Sequence, residues 1–266
     1  MTTLDSLMKL NGRRALITGA GGGLGRVMAP TLAELGADLV LLDCNDMPLV
    51  EQAAEIAAQW NVDVAVRHCD LESQAARDAL ITELVQEGRL DILINNAAFV
   101  GTSGLKGWSV PFAEQSIETW RRALEVNLTA AFHLCQGFAP LLRASGHGSI
   151  INIGSIYGEY GPDWALYEGT SMSNPAAYGA SKGGLMQLTR WLATTLAPHV
   201  RVNAISPGGV ARGQPAGFIA RYEARTPLGR MATEDDFRGV MAFLSTDMSA
   251  YMTGQNLFVD GGWGAW

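Results

Sequence analysis

Tyr178 and Lys182 stand four residues apart in "NPAAYGASKGG", a segment of helical spacing, so the two side chains share one helix face. A free phenol, with a pKa of ~10, is a poor base at neutral pH. A fixed ammonium one turn away favours the phenolate and lowers that value, which makes the pair a candidate device for proton transfer. Tyr157, Tyr160 and Tyr167 precede it closely, but four residues after them come Gly161, Trp164 and Ser171. None of those is a cation, so Tyr178 is the candidate acid/base.

A second constellation lies near the start. "TGAGGGLG" (Thr18–Gly25) joins the apolar run "RALIT" (14–18) to a helical pattern from about Leu24 to Leu35. Glycines allow positive φ and close approach of a ligand, and the free N–H groups of the following helix suit a pyrophosphate. The next apolar run, "DLVLLD" (38–43), ends in Asp43. Its carboxylate can accept hydrogen bonds from both hydroxyls of an adenosine ribose and would repel a 2′-phosphate. Cys44 and Asn45 follow, and Gly22 occupies the position where a phosphate-binding cation would sit. NAD is therefore expected rather than NADP.

These groups need a frame. Short apolar runs recur at 62–70, 90–97, 149–155, 200–206 and 256–260, separated by helical patterns, including one long helix from Trp120 to Leu142 and one ending near Ala197. Strands that are apolar throughout and alternate with helices imply an α/β fold, a doubly wound parallel sheet covered on both faces. No linker or repeat interrupts the series, so residues 1–266 read as a single domain. Pro30 and Pro140 fall in helical patterns and should start or kink them.

The chain has 266 residues, a formal net charge of −7 and no cluster of Lys and Arg, which argues against nucleic-acid and anionic-membrane partners. The segment from Met1 to Asn11 has no apolar stretch long enough for a signal peptide, and no run elsewhere approaches a membrane span, so a cytoplasmic protein is expected. Cys44, Cys69 and Cys135 are widely spaced, as buried reduced thiols would be, and His68, His133, His147 and His199 show no metal-ligand spacing.

Taken in order, Thr18-Gly19-xxx-Gly23-x-Gly25, Asn95-Asn96-Ala97, Asn127, Ser155, Tyr178-xxx-Lys182 and Pro207-Gly208 resemble the short-chain dehydrogenase/reductase family, single-domain branch, over the whole chain. The resemblance implies a seven-stranded Rossmann sheet, hydride transfer between a secondary alcohol or ketone and NAD, and a homotetramer. By the same resemblance Asn127, Ser155, Tyr178 and Lys182 are catalytic: Ser155 donates to the substrate oxygen, Lys182 also holds the nicotinamide ribose, and Asn127 anchors a water. Gly19, Gly23, Leu24, Gly25, Asp43, Asp70, Leu71, Asn96, Ala97, Pro207, Gly208 and Val210 would line the cofactor. Two departures are Ala98, where relatives usually carry Gly, and Ala211-Arg212, where a Thr often touches the nicotinamide.

Ser155 and Tyr178 are 23 positions apart, which resembles the family gap lengthened by an insert at about 158–177. The insert mixes Tyr160, Trp164 and Tyr167 with Glu159, Asp163 and Glu168. Aromatic faces beside carboxylates suit a sugar, sugar acid or polyol as the small-molecule substrate, with Tyr160, Trp164 and Tyr167 as candidate contacts. "YEGTSM" and "VDGGWGAW" also resemble a bacterial subgroup linked to flagellin modification and to gluconate 5-dehydrogenase-like proteins. The family's flap would fall at about 211–230, where Arg212 is the candidate for a substrate carboxylate. Competing readings are a 3-oxoacyl-thioester reductase and a non-catalytic NAD-bound sensor or scaffold. The aromatic C-terminus is expected in a subunit interface or beside a neighbour's site.

Overall fold

The computed structural model describes residues 2–44, 48–101 and 103–266; Asn45 lies outside them. Seven strands form one parallel sheet: β1 (Arg14–Thr18), β2 (Asp38–Asp43), β3 (Val64–His68), β4 (Ile92–Asn95), β5 (Gly148–Ile153), β6 (Val200–Pro207) and β7 (Asn256–Val259). Their order across the sheet is β3-β2-β1-β4-β5-β6-β7. The helices in chain order are α1 (Leu4–Met8), α2 (Gly23–Glu34), α3 (Leu49–Trp60), α4 (Gln74–Glu87), α5 (Ile117–Leu124), α6 (Ala130–Ala144), α7 (Ala176–Leu196), α8 (Ala216–Arg225) and α9 (Arg238–Ser245).

Strand periodicity of two explains the layering. Ala15 and Ile17 of β1 face Met28 and Leu32 of α2, Ile56 of α3 and Met241 of α9 in one core. Leu16 between them faces the opposite core with Leu84 of α4, Leu134 and Phe138 of α6 and Leu192 of α7. Both faces are buried, which is why these strands read as unbroken apolar runs.

The order reverses between β1 and β4, and ligands bind doubly wound sheets at the carboxyl ends of strands beside such a switch. Thr18, Asn95, Ile153 and Pro207 are the last residues of β1, β4, β5 and β6, so they deliver the predicted motifs to one edge.

One detail differs from the sequence expectation. The single long helix is two helices joined by a π-helical turn, Glu125–Thr129, with Asn127 buried in it. One extra residue per turn is invisible to a 3.6-residue periodicity, and such turns mark functional positions. Pro30 and Pro140 lie inside α2 and α6, the second of the two places expected for them. No helix among the described residues is long and apolar enough to cross a membrane.

Candidate active site

The glycine-rich turn is built for close approach. Gly19 has φ +65°, and a Cβ there would stand 2.8 Å from the Ala97 Cα. A Cβ on Gly25 would overlap the Gly19 carbonyl, so α2 can pack against the turn only without a side chain. Asn96 holds the other side: its Nδ2 donates to the carbonyls of Thr18 (3.0 Å) and Gly19 (2.9 Å). The Thr18 hydroxyl accepts from the amides of Asn96 and Ala97, both at 3.0 Å. The Asp43 carboxylate accepts from the amides of Gly21 (2.9 Å) and Cys44 (2.9 Å), which fixes it at the rim of the turn.

A cleft of about 840 Å³ opens over this edge. Gly19, Gly23, Leu24, Asp43, Asp70, Leu71, Asn96 and Ala97 line one arm, while Ser155, Tyr178, Lys182, Pro207, Gly208 and Val210 line its centre. The backbone cradle, the acid at the end of β2 and the central phenol and lysine together fit a dinucleotide. Gly25 supports the cradle from behind, and Asn127 lies beneath the cleft.

At the centre, Ser155 caps a short turn after β5 and its hydroxyl accepts from the Tyr157 amide at 3.2 Å. The Tyr178 phenol lies beside it in the lining of the cleft. Lys182 is buried, and its Nζ donates to the Ile153 carbonyl at 2.7 Å and lies 5.8 Å from the Tyr178 ring centroid. Burial pulls the Lys182 ammonium down to about 8. Tyr178 moves opposite to the sequence expectation. Its phenol is set deep, and burial, the largest influence, raises it above the ordinary value; the neighbouring Ser155 hydroxyl and then the charge of Arg212 oppose this.

Asn127 is fully engaged. Its Oδ1 accepts from the Phe99 amide (2.7 Å), and its Nδ2 donates to the Phe99 carbonyl (3.1 Å) and to the Ser181 hydroxyl (3.0 Å). It thereby ties the π-helical turn to α7 one residue from Lys182.

The substrate residues divide. Tyr167 and Arg212 line the cleft; Tyr160 and Trp164 do not. The Tyr160 hydroxyl donates to the Gly264 carbonyl at 3.3 Å and its ring packs on Phe258 and Trp263. Trp164 is half-exposed and tilts against Tyr167. Glu159, Asp163 and Glu168 are also absent from the lining. Asp163 instead pairs with Arg225, because the insert folds onto the flap rather than into the opening. Arg221 donates to the carbonyls of Leu166 and Glu168, and Arg230 pairs with Asp236. Of the C-terminal aromatics, Trp263 is buried within its own chain and Trp266 is exposed.

The sequence reading missed several groups. Tyr157, Met172, Asn174, Phe218 and Met231 line the substrate side of the cleft. The Tyr157 and Tyr167 hydroxyls are 2.8 Å apart, and Asn174 Nδ2 donates to Tyr167 at 3.4 Å. Beneath the sheet edge, Asn95 donates to Asn152 (2.8 Å) and Asn152 to the Thr189 hydroxyl (2.8 Å). Asparagines inside apolar strands were the available signal, since a buried amide requires a partner. Burial holds Cys69 at about 11 and Cys135 at about 12, both in the thiol form. Among the described residues no cluster of three metal-ligating side chains forms.

The family model described as enoyl-(acyl carrier protein) reductase matches residues 19–264, from the first glycine of the cradle to the end of the Trp263 pocket. This chain belongs to the short-chain dehydrogenase/reductase family. A tropinone reductase homolog of Arabidopsis thaliana is 35% identical over 270 residues, 97% of this chain and 94% of the relative. The trans-4-hydroxycyclohexanecarboxylate dehydrogenase of Sinomonas cyclohexanicum is 35% identical over 255 residues, 93% of this chain and 91% of that protein. A gluconate 5-dehydrogenase from Burkholderia cenocepacia, solved with NADP and tartrate, superposes with a TM-score of 0.84 at 31% identity, covering 99% of this chain and 100% of the other. As a short-chain dehydrogenase/reductase, the protein is an oxidoreductase acting on alcohol groups of small molecules.

Proposed function

We propose that the protein interconverts a secondary alcohol and a ketone on a compact, carbohydrate-like or ring hydroxy acid substrate, with NAD as its cofactor. The meeting of Ser155, Tyr178 and Lys182 in one cleft lining, with the Lys182 Nζ 5.8 Å from the Tyr178 ring centroid, is the observation that carries the reading. Bound nicotinamide would accept the hydride of the alcohol carbon. In that direction Tyr178 takes the hydroxyl proton while Ser155 donates to the substrate oxygen and orients it. In reduction Tyr178 returns the proton and Ser155 polarises the carbonyl. Lys182 supplies a positive charge beside the phenol, and Asn127, through Phe99 and Ser181, keeps the helix carrying both in register.

NAD is favoured by Asp43, whose carboxylate stands at the rim of the glycine turn where a 2′-phosphate would meet like charge. The substrate class is supported by the wall of Tyr157, Tyr167, Phe218 and Asn174. Ring faces pack on C–H groups, while the two phenols and the amide hydrogen-bond oxygens, a role that the sequence assigned to carboxylates. Relatives whose names specify gluconate and hydroxycyclohexanecarboxylate handle secondary alcohols of this size. Met172, Phe218 and Met231 also favour a second reading, a 3-oxoacyl-thioester reductase, because an acyl chain would pack on them. Initial rates with NAD⁺ and NADP⁺ across aldonates, polyols, hydroxycyclohexanecarboxylates and hydroxyacyl thioesters test both. Turnover of the first three classes with NAD⁺ is expected; activity confined to thioesters with NADP⁺ would reverse the assignment.

A further inference from the structure

Arg212 was expected at a substrate carboxylate, and within the cleft its side chain lies against the start of α2. A Cβ built on Gly23, the first residue of α2, would fall 2.6 Å from the Arg212 Cζ and 3.0 Å from its Nε. The guanidinium therefore covers the bare backbone where the glycine turn becomes a helix. It is held there. Arg212 Nε donates to Glu234 at 2.9 Å, and its amide donates to Gln214 Oε1 at 2.7 Å. Gln214 Nε2 donates back to the Val210 carbonyl at 2.7 Å, and the Ala211 amide to the Ala232 carbonyl at 2.8 Å.

The charges at this edge single it out. Asp43, Asp70, Lys182 and Arg212 are the charged side chains among the described residues lining the cleft. Lys182 is buried and committed to the Ile153 carbonyl, and both acids repel anions. A diphosphate carries about two negative charges at neutral pH, and the α2 N-terminus offers only partial positive charge to it. A guanidinium can meet two phosphate oxygens with parallel donors.

We propose that Arg212 is a cofactor residue, clamping the dinucleotide's diphosphate against the glycine turn, with Glu234 holding the guanidinium in place. The inference rests on the dinucleotide reading above and reassigns Arg212 from substrate to cofactor. Gly23 then serves twice, since any side chain there would displace Arg212 as well as the ligand.

The test is equilibrium binding, followed by the fluorescence of NADH and by calorimetry with ADP-ribose, for wild type and Arg212→Gln at matched melting temperature. The variant should bind both ligands about tenfold more weakly, as loss of a charged hydrogen-bond pair implies, with a shallower dependence of affinity on salt. Unchanged affinity for both, with a raised KM for carboxylated substrates alone, would return Arg212 to the substrate and overturn the proposal. Failure of the wild-type protein to bind NADH would instead remove the cofactor reading itself. Phenylglyoxal labelling of the unaltered protein gives an independent check, because the Arg212 side chain is 42% exposed. ADP-ribose should protect Arg212 from modification; equal labelling with and without it would contradict the clamp.

Discussion

Arg225 lies over Trp263, its guanidinium carbon 4.3 Å from the ring centroid, while its Nη1 donates to Asp163. One side chain thus joins α8, the insert and the C-terminal turn. Trp263 is at the centre of this contact, stacked on Tyr222 and tilted against Tyr160. Trp263→Ala should lower stability by about 3–5 kcal/mol, the usual cost of emptying a large aromatic site. Arg225→Ala should cost about 1 kcal/mol, since the ion pair is partly solvated and the ring contact adds modestly. Urea unfolding of the two variants gives both values, and a Trp263→Ala loss under about 1 kcal/mol would show that the pocket is not a folding unit.

This contact also shows what the sequence could not express. The strands, the glycine turn and the Tyr178–Lys182 pair were legible because each depends on neighbours within a few residues. The insert was not, because its direction depends on Arg221, Arg225 and Trp263, more than fifty residues further on. Tyr160 and Trp164 therefore read as substrate contacts from composition, but Tyr160 packs on Phe258 and Trp263 and Trp164 tilts against Tyr167 outside the cleft. Asn127 was legible as a residue, while the π-helical turn that positions it was not, since its register differs from the flanking helices by one residue.

Buried thiols and a buried ammonium give the stability a defined pH dependence. Cys69 and Cys135 stay protonated to about 11 and about 12 in the folded chain, against an ordinary thiol value of 9.0. Above pH 9 the unfolded chain therefore binds fewer protons, and stability falls as pH rises. Lys182 acts with opposite sign: its folded value of about 8 lies below 10.5, so between those values the unfolded chain binds more protons and stability rises. Urea midpoints should climb slightly from pH 8 to 9 and fall beyond pH 10, where the two thiols and the buried phenols of Tyr157, Tyr178 and Tyr222, all raised by burial, outweigh one lysine. Lys182→Met should remove the climb, and replacing both cysteines by Ala should move the onset of the fall from about pH 9 toward pH 10, where the buried phenols take over; a midpoint constant from pH 8 to 11 would contradict these burial assignments.

Asp43 is expected to set cofactor choice. Asp43→Ser removes the charge that opposes a 2′-phosphate and also releases the Gly21 amide that the carboxylate holds. NADH binding should weaken about tenfold, and kcat/KM should shift toward NADP⁺ by at least that factor. A variant with unchanged cofactor preference would place the ribose away from Asp43.

The most direct test of the central claim is NAD⁺ reduction by Tyr178→Phe beside wild type, on whichever alcohol the wild type turns over, with NADH affinity measured on both. Loss of the single hydroxyl should reduce kcat by about a thousandfold, within the range for a positioned acid/base, and leave NADH affinity unchanged. Turnover within a few-fold of wild type would contradict the assignment of Tyr178 and move the chemistry to another group in the cleft.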